Sequence, residues 1–175
     1  MYLYSDPHFN DPDSAFFRKN YPGDDAQVKS INSRLGKNDT IVFLGDIGDV
    51  EFIKKIRGYK VLIMGNHDSG ASNYKKDGTN QLFDEVFEGP LMVSERIILS
   101  HEPICVPEFL FNVHGHDHNW SFISNNHLNV CAEHIDYRPV LFADIIRSGL
   151  LCDVPSIHRV TINKATANKK NLNNA

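Results

Sequence analysis

The sequence predicts a layered α/β fold whose first half contains a largely parallel sheet. Three observations lead to this prediction. Residues 40–44 and 59–64 are short apolar runs with the length of buried strands. Residues 24–35 carry apolar side chains at helical spacing. Glycines and polar turns separate these segments, and strand and helix patterns that alternate in this way are typical of parallel sheets covered by helices.

The first elements are a strand, a loop and a helix. Residues 1–5 are apolar and aromatic and predict the first strand, whereas Pro, Asn and Asp over residues 10–23 predict a loop. Acidic residues mark the start of the helix over 24–35, and Gly36 marks its end. The apolar positions at helical spacing are Val28, Ile31 and Leu35. We expect this helix to cover the sheet.

The middle of the chain continues the alternation. Residues 40–44 predict the second strand, and residues 52–56 predict a short helix that ends at Gly58. Residues 59–64 predict the third strand, and the polar segment 69–80 predicts a loop. The apolar residues expected to pack that loop down are Phe83, Val86 and Phe87.

The second half of the chain predicts more strands and a final helix. Residues 91–93 and 96–99 flank a polar pair and predict a hairpin, and 109–113 and 128–131 predict two further strands. Pro139 is expected to start a helix. The residues that share one face of that helix are Phe142, Ile145, Ile146 and Gly149.

The bulk composition is that of an ordinary globular protein. With 175 residues, 41% apolar and 23% charged, the chain predicts one domain over residues 1–163. Residues 164–175 have little to bury and predict a loose tail. No apolar run approaches the roughly 18 residues of a membrane span, so we expect no membrane contact.

Charge and cysteine content restrict the partners and the compartment. A net charge of −4 and a pI of 6.1 disfavour extended nucleic-acid binding, so any phosphate chemistry requires a local cationic site. The three cysteines are odd in number and far apart, which favours reduced thiols. The first strand begins too early to leave room for a signal peptide. We therefore expect a cytoplasmic protein.

Residues able to bind metal follow the predicted strands. Asp46 follows the most apolar strand, and one carboxylate can bridge two cations. Asp6 and His8 project to the same side of an extended chain. A single histidine is more often a surface or core residue than a ligand, but packing alone does not readily produce so many donors beside glycine-marked turns. The seven candidate ligands are Asp6, His8, Asp46, Asn66, His101, His116 and His118.

Five separated motifs resemble the full signature of the calcineurin-like metallophosphoesterase superfamily, over roughly the first 120 residues. In order, they are Asp6-x-His8, Gly45-Asp46-x-x-Asp49, Gly65-Asn66-His67-Asp68, His101 and Gly115-His116-x-His118. The resemblance implies a four-layer α/β/β/α sandwich with two divalent metal ions between the sheet ends. By position, it assigns one ion to Asp6, His8, Asp46 and His118. It assigns the other ion to Asp46, Asn66, His101 and His116, so that Asp46 bridges them.

The resemblance also implies a mechanism. A hydroxide that bridges the two ions would attack phosphorus in line. Oxygen and imidazole donors without a thiolate suit Mn, Fe, Zn or Ni. The family places a catalytic histidine at His67, supported by the carboxylate at Asp49. The alternative for Asp49 is that it caps a helix beginning near Glu51.

The function implied is hydrolysis of a phosphoester by a metal-dependent enzyme acting on a small phosphorylated substrate. The protein Ser/Thr phosphatase branch has Arg and Glu at two positions that are Val50 and Asp68 here, which disfavours protein substrates. The short segment between Asp68 and His101 leaves no room for an added domain. We therefore expect a phosphodiester or small nucleotide as substrate. A phosphomonoesterase and a non-enzymatic metal-binding scaffold remain as alternatives.

Overall fold

A computed structural model describes residues 1–16, 18–70, 74, 82–121 and 124–155. Within these ranges the chain forms nine β-strands in two sheets, together with two α-helices. No helix in the described ranges is long and apolar enough to cross a membrane. The tail predicted at 164–175 and most of the loop predicted at 69–80 lie outside the described residues.

The first sheet has five strands in the order β4-β3-β2-β1-β9. The strands are β1 (Tyr2–Tyr4), β2 (Thr40–Phe43), β3 (Tyr59–Ile63), β4 (Glu85–Phe87) and β9 (Val140–Leu141). The four strands β1 to β4 run parallel, whereas β9 pairs antiparallel with β1. In the register of the central pair, Leu3 lies opposite Val42. Because β1, β2 and β3 are parallel, the loops that follow them emerge at the same edge of the sheet.

The second sheet has four strands in the order β5-β6-β7-β8. The strands are β5 (Leu91–Ser94), β6 (Ile97–Leu99), β7 (Phe111–His114) and β8 (His127–Asn129). The hairpin pair β5 and β6 is antiparallel, and β6, β7 and β8 are parallel. The loops after β6 and β7 therefore also leave at one common edge.

Two apolar clusters define the layers. Helix α1 (Asp24–Arg34) buries Val28 and Ile31 in the same cluster as Tyr4 and Phe43 of the first sheet. The alternate side chains of these strands point the other way and join side chains of the second sheet in another cluster. Members of this second cluster are Leu3, Val42, Ile63, Leu99 and Val113. The order is therefore helix, sheet, sheet, with α1 on the outer face of the first sheet.

The predicted α/β class is confirmed, but two details differ. Strand β4 includes Val86 and Phe87, which we predicted to pack against the loop before them but not to form a strand. The helix expected from Pro139 begins later, because Val140–Leu141 pair with the edge of β1 and the N–H of Phe142 donates to the carbonyl of Met1 (3.0 Å). Helix α2 (Phe142–Arg147) then buries Ile145, whereas Ile146 is 48% exposed. The predicted apolar face of this helix is thus only partly buried.

Candidate metal centre

The seven candidate ligands lie at one edge of the molecule, in loops that follow strands of both sheets. Asp6 and His8 follow β1, Asp46 follows β2 and Asn66 follows β3. His101 follows β6, and His116 and His118 follow β7. The backbone N–H of His116 donates to Asp6 Oδ2 (2.9 Å), which joins the loop after β7 to the loop after β1. Side chains far apart in the sequence are thereby brought within a few ångströms.

The first group of donors surrounds Asp6. Its Oδ1 atom lies 3.9 Å from Nε2 of His8 and 3.7 Å from Nε2 of His118. Nε2 of His8 is also 3.6 Å from Oδ2 of Asp46. Donor atoms bound to one ion at about 2.1 Å lie roughly 3.0–3.5 Å from one another, so these separations need little adjustment to hold a cation. Asp6, His8 and His118 form one of the groups that could hold a metal ion.

The second group shares Asp46 with the first. Nε2 of His101 lies 3.5 Å from Oδ2 of Asp46 and 2.8 Å from Oδ1 of Asn66. Nδ1 of His116 lies 3.0 Å from the same Asn66 oxygen and 3.2 Å from Nε2 of His101. Asp46, His101 and His116 form a second group that could hold a metal ion.

The chemistry of these donors fits a cation. Nδ1 of His101 lies 2.7 Å from the carbonyl of Leu44, which can only accept, so Nδ1 carries the hydrogen and Nε2 of the neutral ring carries a lone pair. In that tautomer the lone pair faces Oδ1 of Asn66, a second acceptor, at 2.8 Å. In the first group, Oδ1 of Asp6 is buried and accepts no hydrogen bond from any described residue. A positive charge between these acceptors would satisfy both groups.

The backbone of the ligand loops is held in an uncommon conformation. Four candidate ligands are non-glycine residues with positive φ angles: Asp6 (54°), His8 (40°), Asp46 (53°) and His116 (68°). Such residues are uncommon and concentrate at functional sites. Gly115 is required here for space, because a Cβ at this position would overlap the side chains of Ser5 and Asp6. The ligand loops therefore contain strained backbone, and a glycine stands where a side chain would not fit between the donors.

Asp68 fixes the loop that carries Asp46. Its carboxylate accepts hydrogen bonds from the backbone N–H groups of Asp46 (2.9 Å), Ile47 (3.0 Å) and Gly65 (2.9 Å). Burial raises the pKa of Asp68, although the three N–H donors oppose that rise. Asp68 thus ties the loops after β2 and β3 together beside the candidate ligands.

Two carboxylates that the sequence did not single out support histidines of the first group. Nδ1 of His118 lies 2.6 Å from Oε1 of Glu133, and Nδ1 of His8 lies 3.3 Å from Oδ2 of Asp11. Burial lowers the pKa of His8. Burial also acts to lower the pKa of His118, but the Glu133 hydrogen bond and the charge of Asp6 outweigh it, so that pKa is raised. Neither carboxylate belongs to one of the five motifs, so the sequence analysis did not identify it.

Cys131 lies beside the first group but is a poor ligand. Its Sγ atom is 3.3 Å from Oδ2 of Asp6, and it forms a third possible metal-binding group with His118 and Glu133. Burial raises the pKa of the Cys131 thiol, and the charges of Asp6 and Glu133 raise it further. Metal ligation requires the thiolate. The contacts of this group therefore fit a support of the first group better than a separate ion site, since Cys131 donates to Asp6 and Glu133 contacts His118.

His67 and Asp49 do not form the contact expected from the sequence. His67 is exposed, its N–H donates to Oδ1 of Asp46 (3.0 Å), and its ring lies 5.6 Å from that of His8. The Asp49 carboxylate instead accepts from the N–H of Glu51 (3.0 Å) and from the side chain of Asn10 (3.2 Å). In the described part of the chain no hydrogen bond or ion pair joins Asp49 to His67. The expected helix cap does not form either, because the 3-10 helix nearby (Ile53–Lys55) has Phe52 as its N-cap residue and no side-chain cap. Asp49 instead holds the turn that precedes this helix.

A cavity of about 400 Å³ opens onto the centre. Its lining comprises His8, Asp11, Asp13, Asp46, His67, His116 and His118. Within the described residues this lining includes no lysine or arginine. A bound anion would therefore depend on cations held by the ligands themselves.

One solved structure is similar in fold. The crystal structure of AQ665, a protein of unknown function from Aquifex aeolicus, matches with a TM-score of 0.67 at 22% sequence identity. The match covers 84% of this chain and 97% of that chain. At this level of identity the likeness shows a shared fold. No protein-family model matches the sequence, and no curated protein matches it at a significant level.

Proposed function

We propose that this protein is a dinuclear metal-dependent phosphoesterase of the calcineurin-like type, with the four-layer α/β/β/α sandwich of that superfamily. One observation carries the proposal. Oδ2 of Asp46 lies 3.6 Å from Nε2 of His8 and 3.5 Å from Nε2 of His101, so a single carboxylate oxygen stands between two groups of donors. A carboxylate in this position can serve two cations at once.

The charges of the ligands explain how an acidic protein binds phosphate. Two divalent ions carry four positive charges, and Asp6 and Asp46 return two negative ones. The remaining positive charge faces a cavity whose described lining has no lysine or arginine. When bound, the two ions would polarise the phosphoryl oxygens and lower the pKa of the attacking water towards roughly 7. Mn, Fe, Zn and Ni all suit the oxygen and imidazole donors.

His67 is the residue that we assign to proton transfer. Its ring is exposed in the cavity, whereas its backbone N–H is fixed to Asp46 (3.0 Å). An imidazole placed there can protonate the leaving oxygen as the phosphoester bond breaks. Because Asp49 is turned towards Asn10 and Glu51, His67 performs this role without a carboxylate partner from Asp49.

The lining favours a singly charged phosphate. A phosphodiester carries one negative charge, whereas a phosphomonoester carries nearly two at neutral pH. Asp11 and Asp13 place carboxylates in the cavity wall, and these would repel the second charge. A phosphodiester is therefore the substrate class that the cavity suits, and a small nucleotide fits this argument where its phosphate is a diester.

The test compares two substrates on one protein. The purified protein is stripped with a chelator, reloaded with Mn²⁺, and assayed on an aryl phosphodiester and an aryl phosphomonoester, with metal content measured in parallel. We expect faster turnover of the diester. Faster turnover of the monoester would make it a phosphomonoesterase, and bound metal without turnover of either would make it a scaffold. A protein that takes up no metal would overturn the proposal.

A further inference from the structure

Three histidines of the centre turn Nε2 towards it and hold Nδ1 on a protein acceptor. One acceptor is a backbone carbonyl and the other two are carboxylates. His101 uses the carbonyl of Leu44 (2.7 Å), His8 uses the carboxylate of Asp11 (3.3 Å), and His118 uses the carboxylate of Glu133 (2.6 Å). The Asp11 side chain is 34% exposed, whereas that of Glu133 is 1% exposed. Of the two carboxylates, Glu133 thus makes the shorter contact with its histidine and is the more deeply buried.

In the described part of the chain, His118 is the hydrogen-bond partner of the Glu133 carboxylate. Its Oε1 atom contacts His118, and its Oε2 atom is buried and accepts no hydrogen bond from any described residue. The short 3-10 helix that carries it (Ala132–Ile135) is joined to the segment after β1, because the N–H of Ala132 donates to the carbonyl of Ser5 (3.0 Å). Burying a carboxylate is costly unless it is paired. The fold keeps this carboxylate where His118 is its partner.

We propose that Glu133 is a positioning residue of the centre, which fixes the orientation and the tautomer of His118. With the hydrogen held on Nδ1 by Glu133, the lone pair of Nε2 points towards Oδ1 of Asp6, 3.7 Å away. A carboxylate behind a ligand histidine also makes the imidazole a stronger donor. The inference rests on the proposed function only in that a cation binds between Asp6 and His118.

Metal affinity tests the proposal without any substrate. Zn²⁺ binding to the metal-free protein is measured by competition with a chromophoric chelator for wild type, Glu133→Ala and Glu133→Gln. We expect Glu133→Ala to weaken one of two binding events by about 10- to 100-fold, the usual effect of losing such a partner. Glu133→Gln should lose less Zn²⁺ affinity than Glu133→Ala, because the amide oxygen of glutamine still accepts a hydrogen bond from Nδ1 of His118.

Glu102→Gln is the matched control. Glu102 is an exposed glutamate next to the ligand His101, so this variant removes the same charge near the centre without touching a histidine support. We expect its Zn²⁺ affinity to match wild type. If Glu133→Ala binds both ions as tightly as wild type, or if Glu102→Gln loses as much affinity as Glu133→Ala, the positioning role is wrong.

The histidine tautomer supplies a second readout that a purely structural role would not move. Nitrogen-15 spectra of the metal-free proteins at about pH 9, above the ordinary imidazole pKa, report which nitrogen carries the hydrogen. We expect His118 to carry it on Nδ1 in wild type and to lose that preference in Glu133→Ala. An unchanged tautomer would overturn the inference. Failure of wild type to bind Zn²⁺ would count against the proposed function. The tautomer of His118 would still show whether Glu133 holds the hydrogen on Nδ1.

Discussion

The carboxylate of Asp68 accepts a hydrogen bond from the backbone N–H of Asp46 at 2.9 Å. Asp46 has a φ angle of 53°, a conformation that a non-glycine residue keeps only when its surroundings enforce it. Asp68 provides that enforcement, since it also accepts from the N–H groups of Ile47 and Gly65. The geometry of the candidate bridging ligand thus depends on a neighbour that is not among the residues lining the cavity.

Asp68→Asn should therefore lower both stability and metal affinity. Asparagine offers one oxygen, so the N–H of Ile47 would face an NH₂ group and lose its acceptor. We expect the free energy of unfolding of the metal-free protein to fall by about 1–3 kcal/mol, measured by urea denaturation. Metal titration should show weaker binding of both ions.

Asp39→Asn is the control for this variant. Asp39 also accepts a backbone hydrogen bond, from Gly36 (2.8 Å), but it lies at the opposite end of β2. This variant should keep normal metal affinity. Wild-type stability and affinity in Asp68→Asn would show that the three hydrogen bonds do not hold the loop.

Asp46→Asn should remove both ions. The neutral amide has one oxygen and no charge to share between the two groups of donors, so neither cation is retained. Elemental analysis after gel filtration measures the loss. Asp49→Asn removes a nearby carboxylate that instead caps a turn, and it should retain both ions. Full metal content and normal turnover in Asp46→Asn would show that Asp46 does not bridge.

His67→Ala should keep both ions and lower turnover by at least about 100-fold, the usual scale for a general acid. The loss should shrink for esters whose leaving alcohol is already acidic, because such a group departs without a proton. Rates for a series of aryl diesters measure this dependence. An undiminished rate, or a loss that is the same for every leaving group, would remove His67 from proton transfer.

Alkaline pH should destabilise the protein through Tyr137. This side chain is 5% exposed, and its hydroxyl donates to the carbonyl of Lys19 (2.9 Å). Burial, together with the charge of Glu133, raises the pKa of Tyr137 from 10.0 to about 12. The unfolded chain ionises first, so stabilisation that is complete below pH 10 is lost as the pH rises through about 12.

Tyr137→Phe tests this dependence. The variant loses one hydrogen bond at every pH, about 1 kcal/mol, but it cannot ionise at this position. The fall in the free energy of unfolding between about pH 9 and pH 12 should be smaller in the variant by on the order of 2 kcal/mol. Urea denaturation at both pH values measures the difference. An identical fall in both proteins would contradict the assignment.

The sequence predicted the ends of the strands better than it predicted contacts between loops. Asp6 and Asp46 could be placed together because each follows an apolar run, and parallel strands of one sheet carry such residues to one edge. His101 belongs to the second sheet, and only its motif indicated that it joins them. Asp49 was expected beside His67 because of its place in a motif. Its real partners, Asn10 and Glu51, depend on how two loops pack, which no local pattern encodes.

Tertiary pairing also explains the remaining differences. Val140–Leu141 was expected within a helix, but the open edge of β1 offers backbone hydrogen bonds that a local helix signal does not anticipate. Glu133 carried no signal because a glutamate in a short helical turn is ordinarily exposed. Only the fold reveals that His118 lies 2.6 Å from it.

The candidate ligands are divided between the two sheets. Asp6 and Asp46 belong to loops of the first sheet, and His101 and His116 belong to loops of the second. Any ion bound among them would cross-link the two sheets at the edge where these loops meet. Removing the ion with a chelator would then weaken the contact between the sheets before it disturbed the strand pairing within either sheet. The supply of metal would therefore affect the stability of the fold as well as its chemistry.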